Sequence, residues 1–307
     1  MDSVHKTVLL KETIDGLNLK PGSVVIDATF GGGGHCEEIC KRYPGTKIIA
    51  LDQDREALER GKKKFENLGC DITFVNTNFR ELQNLKNFYP YDGIANLSNL
   101  SINSIIFDLG LSSDQLENSL RGFSFLRDEP LLMTMKENPG PEDLTAKEIV
   151  NTWDEENIAQ IIYGYGEEKY SRRIARGIVE ERSKRKIETT FDLVKIIEGV
   201  VPGIYKRANK IHFATRTFQA LRIAVNDELG ALRKGIEGGF DLLNKGGRMA
   251  VITFHSLEDR IVKKFYKERV SEKKGVLINK KPIVAGAEEL KNNGRARSAK
   301  LRTIEKI

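Results

Sequence analysis

Short apolar runs alternate with amphipathic stretches over the first third of the chain. VVIDATF (24–30) is an apolar run that meets a carboxylate and then Gly31 to Gly34, the pattern of a buried strand entering a tight turn. Residues 35–43 read as a helix, and KIIALDQD (47–54) as a second strand ending in an acid. EALERGKKKFENL (56–68) has helical spacing that turns Leu58, Phe65 and Leu68 towards a core. DITFVNTNF (71–79) and INSIIFDLG (102–110) are predicted as third and fourth strands. Strands alternating with helices imply a parallel sheet covered on both faces.

The rhythm breaks between residues 121 and 213. A loop with Pro130, Pro139, Gly140 and Pro141 leads into LTAKEIVNTW, ENIAQIIYGYG, KYSRRIARGIVEER and FDLVKIIEGV, all of helical period. Beyond Ile211 the earlier pattern resumes, with one long helical stretch, TRTFQALRIAVNDELGALRKGIEGGFDLL, and a strand, GGRMAVITFH (246–255). The expected organisation is an α/β domain from residues 1–120 and 214–307, carrying an inserted helical domain over 121–213. There is no internal repeat.

Composition narrows the class. With 307 residues, 39% hydrophobic and 31% charged, the chain suits one large domain or two unequal ones. No run approaches the roughly 20 apolar residues of a membrane span, and MDSVHKTVLLKET does not read as a signal peptide. Cys36, Cys40 and Cys70 form no CxxC pair, so a disulfide framework is not expected and a reducing cytoplasm is the natural location. His35, Cys36 and Cys40 are metal-capable, but no distant fourth ligand completes a zinc site, and none is expected.

The net charge of +6 fits a nucleic-acid partner, and its distribution says more than its size. Arg172, Arg173, Arg176, Arg182, Lys184, Arg185 and Lys186 face only Glu180 and Glu181 in their stretch. The C-terminal run holds Lys291, Arg295, Arg297, Lys300, Arg302 and Lys306. A solvated helix face or a solubilising tail explains any one such run; several together point to a surface for phosphates.

Asp27, Asp52 and Asp108 close three predicted strands, and ligands of open parallel sheets bind beyond such ends. Glycines 31–34 let backbone approach a ligand, and the next helix offers free N–H groups. Asp52, about 20 residues further on, could take both hydroxyls of a ribose. A dinucleotide or S-adenosylmethionine would fit this pattern, although a strict GxGxxG register from Gly31 fails at Cys36.

More specific segments follow. Asp108-Leu109-Gly110-Leu111-Ser112-Ser113-Asp114-Gln115, with Arg121-Gly122-Phe123-Ser124-Phe125, resembles the bacterial 16S ribosomal-RNA cytosine-1402 N4-methyltransferases. His5 to Glu12, Asp27 to Phe30 and Gly33-Gly34-His35 resemble that family's opening motif and cofactor loop. Gly166-Glu167-Glu168, Arg172 to Arg176, Ala214 to Ile223, Gly246-Gly247-Arg248, Phe254 to Arg260 and Arg295 to Arg302 continue the likeness in family order. The resemblance implies a class I S-adenosylmethionine-dependent methyltransferase, Rossmann-like, with an inserted α-helical domain. It implies S-adenosyl-L-methionine held by Gly33, Gly34, His35, Asp52, Phe79, Asp108 and Gln115. The implied partner is 16S rRNA within the small ribosomal subunit, with neither DNA nor membrane involved. Arg172, Arg173 and Arg176 are then candidates for gripping RNA phosphates.

The chain departs from the family pattern at Leu132 and Thr134, where an acid and an arginine are usual, at Phe213 for proline and at Cys36 for serine. No residue stands out as the catalytic base. His255 reads equally as a loop residue or a substrate contact, with Asp259 able to orient it. A related N-methyltransferase with another nucleic-acid target, a binding protein without catalysis, and an NAD-dependent oxidoreductase are the alternatives.

Overall fold

The computed structural model describes residues 6–87, 101–112, 115, 116, 118–136, 139–208 and 211–307. His5, Ser113 and Asp114 of the motifs above lie outside them. The chain divides into two compact units, Met1–Gly110 with Leu229–Ile307, and Leu111–Glu228. No helix among the described residues is long and apolar enough to cross a membrane.

The first unit is built on β1 (Val24–Asp27), β2 (Lys47–Asp52), β3 (Asp71–Asn76), β4 (Ile102–Asp108), β5 (Leu243–Thr253), β6 (Gly275–Leu277) and β7 (Lys300–Lys306). They form a seven-stranded sheet in the order β3-β2-β1-β4-β5-β7-β6. The first five run parallel; β7 pairs antiparallel with both β5 and β6. Burial on both faces explains the unbroken apolar runs that made β1, β2 and β4 visible in the sequence. Ile26, Ile49, Leu51, Ile105, Phe107 and Val251 share one core, and Val25, Ile48, Ala50, Phe74, Ile106 and Ile252 the other. The helices of this unit are α1 (Leu10–Gly16), α2 (Gly34–Arg42), α3 (Arg55–Phe65), α10 (Glu228–Leu242, of which Glu228 falls in the second unit), α11 (Ser256–Ser271) and α12 (Ala287–Asn292). Asp54 caps α3 by accepting from the Glu56 and Ala57 amides, and Lys62 to Lys64 occupy its last turn, where the helix dipole favours cations.

The C-terminal basic run is no tail: Leu301, Thr303 and Ile304 are buried in β7, Arg302 pairs with Asp259 at 2.7 Å, and Lys306 donates to the Phe240 and Asp241 carbonyls. The cysteines are not all free thiols: Cys40 and Cys70 form a disulfide across 30 residues, with a Cα–Cα distance of 5.8 Å, leaving Cys36 free. Their meeting depends on how α2 and the approach to β3 pack on the sheet, which sequence spacing does not carry.

The second unit comprises α4 (Ala146–Thr152), α5 (Glu155–Gly166), α6 (Ser171–Arg182), α7 (Thr190–Val200), α8 (Gly203–Ala208) and α9 (Thr215–Asn226) around its own core. Thr145, Asp154 and Thr189 cap their helices, Thr189 in a reciprocal box with Asp192. The long helical stretch seen in the sequence breaks at Asp227, in the left-handed region at φ 46°. Its first half, α9, therefore belongs with the helices rather than with the α/β unit, because amphipathic period alone does not say which core a helix faces.

Several of the motifs are structural within this unit. Glu168 is fully buried and accepts from the Tyr205 hydroxyl and the Tyr170 amide. The segment after Pro130 is held by Asn226, whose side chain accepts from the Met135 amide at 2.7 Å and donates to the Met133 carbonyl at 2.8 Å. Leu131 and Met133 enter the core, while Leu132 is half-buried and Thr134 is buried with its hydroxyl accepting from the Lys136 amide. At Gly166 a Cβ would stand 2.5 Å from the Arg216 carbonyl oxygen, so α5 and α9 touch backbone to side-chain-free backbone. Gly166→Ala should lower stability by about 1–3 kcal/mol through this overpacking. Gly164→Ala, on the same helix with nothing within 4 Å of the new methyl, should be neutral or stabilise by up to about 1 kcal/mol. Urea unfolding of the pair checks this, and equal midpoints would contradict it.

Candidate active site

Three carboxylates gather at the carboxyl ends of adjacent strands β2, β1 and β4. Asp27 is buried, its Oδ1 accepting from the Thr29 amide at 3.1 Å and its Oδ2 from the Cys36 thiol at 3.1 Å. Burial pushes its pKa up to about 6 against those two hydrogen bonds. Asp52 accepts from the Gly31 amide at 2.8 Å and the Asp54 amide at 2.9 Å, tying β2 to the glycine loop, and burial also raises it to about 6. Asp108 is raised furthest, to about 8, by burial first and then by the charges of Asp27 and Glu258. Its backbone amide donates to the Thr29 hydroxyl at 2.6 Å, and its Oδ2 lies 3.8 Å from His35 Nδ1. Its Oδ1 is buried and finds no hydrogen-bond partner among the described residues.

A pH dependence follows. Each of these acids holds its proton more tightly folded than unfolded, where the pKa is about 3.9. Their contribution is therefore complete below about pH 4 and is lost as pH rises through about 6 for Asp27 and Asp52 and about 8 for Asp108. The unliganded protein should lose stability from pH 5 to 8.5, and Asp108→Asn should flatten the decline above pH 7. Urea midpoints across that range check this; identical slopes would contradict it.

The glycine loop faces the same strand ends. Gly33 is the N-cap of α2 at φ 70°, and a Cβ there would stand 2.6 Å from the Phe30 ring and 3.0 Å from Phe65. Gly34 opens the helix, where a side chain would strike Thr7. Both glycines are therefore required by close packing against Phe30, Phe65 and Thr7, which sets the N-terminus of α2 at the strand ends. His35 is buried behind it. Phe79 follows β3, half-buried, with its ring edge-on to Phe107 at 5.7 Å.

The structure brings Gly33, Gly34, His35, Asp52 and Asp108 together, with Phe79 just beyond the end of β3, the strand paired with the one that carries Asp52. Gln115 belongs to the second unit, where it is buried and its Oε1 accepts from the Ser112 amide at 3.1 Å. Arg172, Arg173 and Arg176 are exposed on one side of α6, Arg176 lying 3.7 Å from Glu155. Asp27 is legible in the sequence as a strand end and as the start of the loop motif, but its charge on Asp108 follows only from β1 and β4 being neighbours. His255 proves to be the N-cap of α11, mostly buried, in a capping box with Glu258. Glu258 accepts from the Phe254 amide at 2.8 Å. Asp259 does not orient His255, being taken by Arg302 and Lys300.

A parallel sheet in this order, extended by an antiparallel β7 lodged between β5 and β6, with acids closing β1, β2 and β4 around a glycine loop, defines a class I S-adenosylmethionine-dependent methyltransferase. The sequence profile of the MraW methylase family matches residues 2–307, and the chain belongs to that family. It is 48% identical over 326 residues to the ribosomal RNA small subunit methyltransferase H of Acetivibrio thermocellus, covering 100% of both chains. It is 43% identical over 319 residues to the protein of the same name from Brevibacillus brevis, covering 99% of this chain and 98% of that one.

Proposed function

We propose that the protein transfers the methyl group of S-adenosyl-L-methionine to N4 of cytosine 1402 in 16S ribosomal RNA, acting in the cytoplasm on the small ribosomal subunit. The observation that carries the RNA substrate is the end-to-end identity with two enzymes named as small-subunit rRNA methyltransferases. The residues present suit the cofactor. The open Oδ1 of Asp108 is a buried acceptor that an ammonium would satisfy, and the start of α2 beside it, at Gly34 and His35, suits the methionine carboxylate. Asp52 uses one acceptor position on each oxygen for backbone amides, and a carboxylate has about four, so ribose hydroxyls can share it. Phe79 offers a flat apolar face to the adenine.

When bound, the cofactor supplies an electrophilic methyl on a sulfonium. The protein's own part is positioning for in-line displacement, which contributes strongly to such reactions. The cytosine amine is weakly nucleophilic because its lone pair is drawn into the ring, so an acceptor near its protons would favour the reaction as charge develops. The target base must be unstacked, which suits single-stranded or looped RNA. Arg172, Arg173 and Arg176 grip the flanking phosphates in this reading. Their joint replacement by Ala should weaken RNA binding and reduce the steepness of its salt dependence by about two, from a slope of about 0.7 per contact on single strands. Unchanged affinity across a salt series would contradict it.

The reading is tested by incubating the protein with methyl-labelled cofactor and either protein-free 16S rRNA or small subunits lacking the modification. Label entering the RNA of at least one substrate is expected. Label in neither, with the cofactor bound, would sink the proposal.

A further inference from the structure

Helix α11 leaves the carboxyl end of β5 beside the candidate site, and Glu258 in its first turn is near enough to raise the pKa of Asp108. Its inner face is core: Leu257, Val262 and Tyr266 are buried, and the Tyr266 hydroxyl donates to the Met249 carbonyl at 3.0 Å. The outer face carries Arg260, Lys263, Lys264 and Lys267, all exposed. Their spacing of i, i+3, i+4 and i+7 aligns them in a single stripe. Together with Glu268 and Ser271 they line an open trough along the helix.

A solvated helix face ordinarily mixes its signs. On α3, Arg60 lies 3.6 Å from Glu56 and Lys62 lies 3.9 Å from Glu59. On α11 the stripe contains one acid, Glu268, 3.8 Å from Lys264. Among the described residues no carboxylate lies within ion-pair distance of Lys263 or Lys267. From Arg260 to Lys267 the helix advances about 10 Å at about 1.5 Å per residue. A helix face of that length can lie along a backbone and meet more than one phosphate.

We propose that this stripe is a track for the phosphate backbone of the RNA substrate, leading away from the methyl-transfer site along the first unit. The proposal rests on the rRNA reading above and adds a contact surface separate from α6. A membrane surface is the poorer fit, because an interfacial helix buries its apolar face in lipid, whereas that of α11 is already used by the core. Phosphate contacts of this kind fix register and add affinity without reading sequence.

The test compares the full chain with the triple variant K263E/K264E/K267E, whose positions are exposed and whose folding is checked by urea unfolding. Cofactor affinity is expected to stay within twofold, and kcat at saturating RNA likewise. KM for unmodified small subunits should rise at least tenfold, and the dependence of log KM on log salt should lose about two units of slope. The matching triple Lys→Arg variant should restore both. Equal KM and equal salt slope in the charge-reversed variant overturn the proposal. Should the triple variant unfold, K263E and K267E singly give the same readings at smaller size. If the unaltered protein labels no RNA, the methyltransferase reading is what fails. The stripe is then judged by fluorescence anisotropy with a single-stranded 16S rRNA fragment, where identical affinity and salt slope overturn it. Loss of binding to vesicles of anionic phospholipid, with RNA kinetics unchanged, would assign the stripe to a lipid surface and also overturn it.

Discussion

Gly33→Val should reduce affinity for S-adenosylmethionine at least 100-fold while leaving a folded but weakened protein. The position is in the left-handed region at φ 70°, where an L-residue costs about 1–2 kcal/mol and a β-branched one is worse. The new Cβ would also stand 2.6 Å from the Phe30 ring. That ring is buried, with its centroid 5.9 Å from Phe65 and 5.2 Å from Phe74, so it has nowhere to retreat. Overpacking of this kind costs about 1–3 kcal/mol, and the total, about 2–5 kcal/mol, is relieved most simply by moving the loop. The loop is the start of α2 and the ceiling over Asp52, through the Gly31 amide, so moving it dismantles the amides that would face the cofactor. Gly22→Val is the control: its φ of 77° imposes similar strain, but nothing lies within 4 Å of an added Cβ, and it precedes the amino end of β1, opposite the carboxyl ends that hold the site. Calorimetric titration with cofactor separates the two. Binding by Gly33→Val within threefold of the unaltered protein would contradict the role given to this turn.

Asp108→Asn should remove a pH dependence from cofactor binding as well as weaken it. With a pKa of about 8, the Asp108 carboxyl is mostly protonated at neutral pH in the unliganded protein. Pairing with an ammonium favours the ionised form, so binding should expel a proton. Affinity should accordingly rise by up to about tenfold per pH unit between pH 6 and 7.5. Calorimetry in buffers of different ionisation enthalpy counts that proton. The asparagine variant should release none, bind with nearly constant affinity over the same range, and be about tenfold weaker at pH 7.5. A hydrogen bond to a charged group is worth about 1.5–3 kcal/mol, and about 1.4 kcal/mol is a factor of ten. Undiminished proton release by the variant would mean that another group, Asp27 or Asp52, is the one that ionises.

The parts of the fold legible in the sequence are those where burial alone dictates residue type. β1, β2 and β4 are covered on both faces and so appear as apolar runs, each closed by the acid that the strand end presents to the site. Read-through at their ends was small: β3 stops at Asn76 and Phe79 opens a 3-10 helix, a change that leaves no mark in hydrophobic period. β7 was hidden, because Lys300, Arg302 and Lys306 interrupt its alternation, and their ion pairs and carbonyl contacts lie on elements distant in sequence. The candidate cofactor residues were legible as motifs, and the glycine loop for its own physical reason. The coupling of Asp27 to Asp108 needed the strand order, and the capping role of His255 needed the start of α11. The basic stripe on α11 was present at helical spacing but unremarkable until the other side of the helix was seen to be core.

The central claim is methyl transfer to one exocyclic nitrogen of one cytosine, and nucleoside analysis tests it most directly. Small subunits from cells lacking the modification are incubated with the protein and isotopically labelled S-adenosylmethionine, and their 16S rRNA is digested and examined by mass spectrometry. N4-methylcytidine at a single position, 1402, is the result expected. Label on the cytosine ring carbon, on a ribose, or on a different nucleoside would contradict the account while leaving the fold and the cofactor site as described.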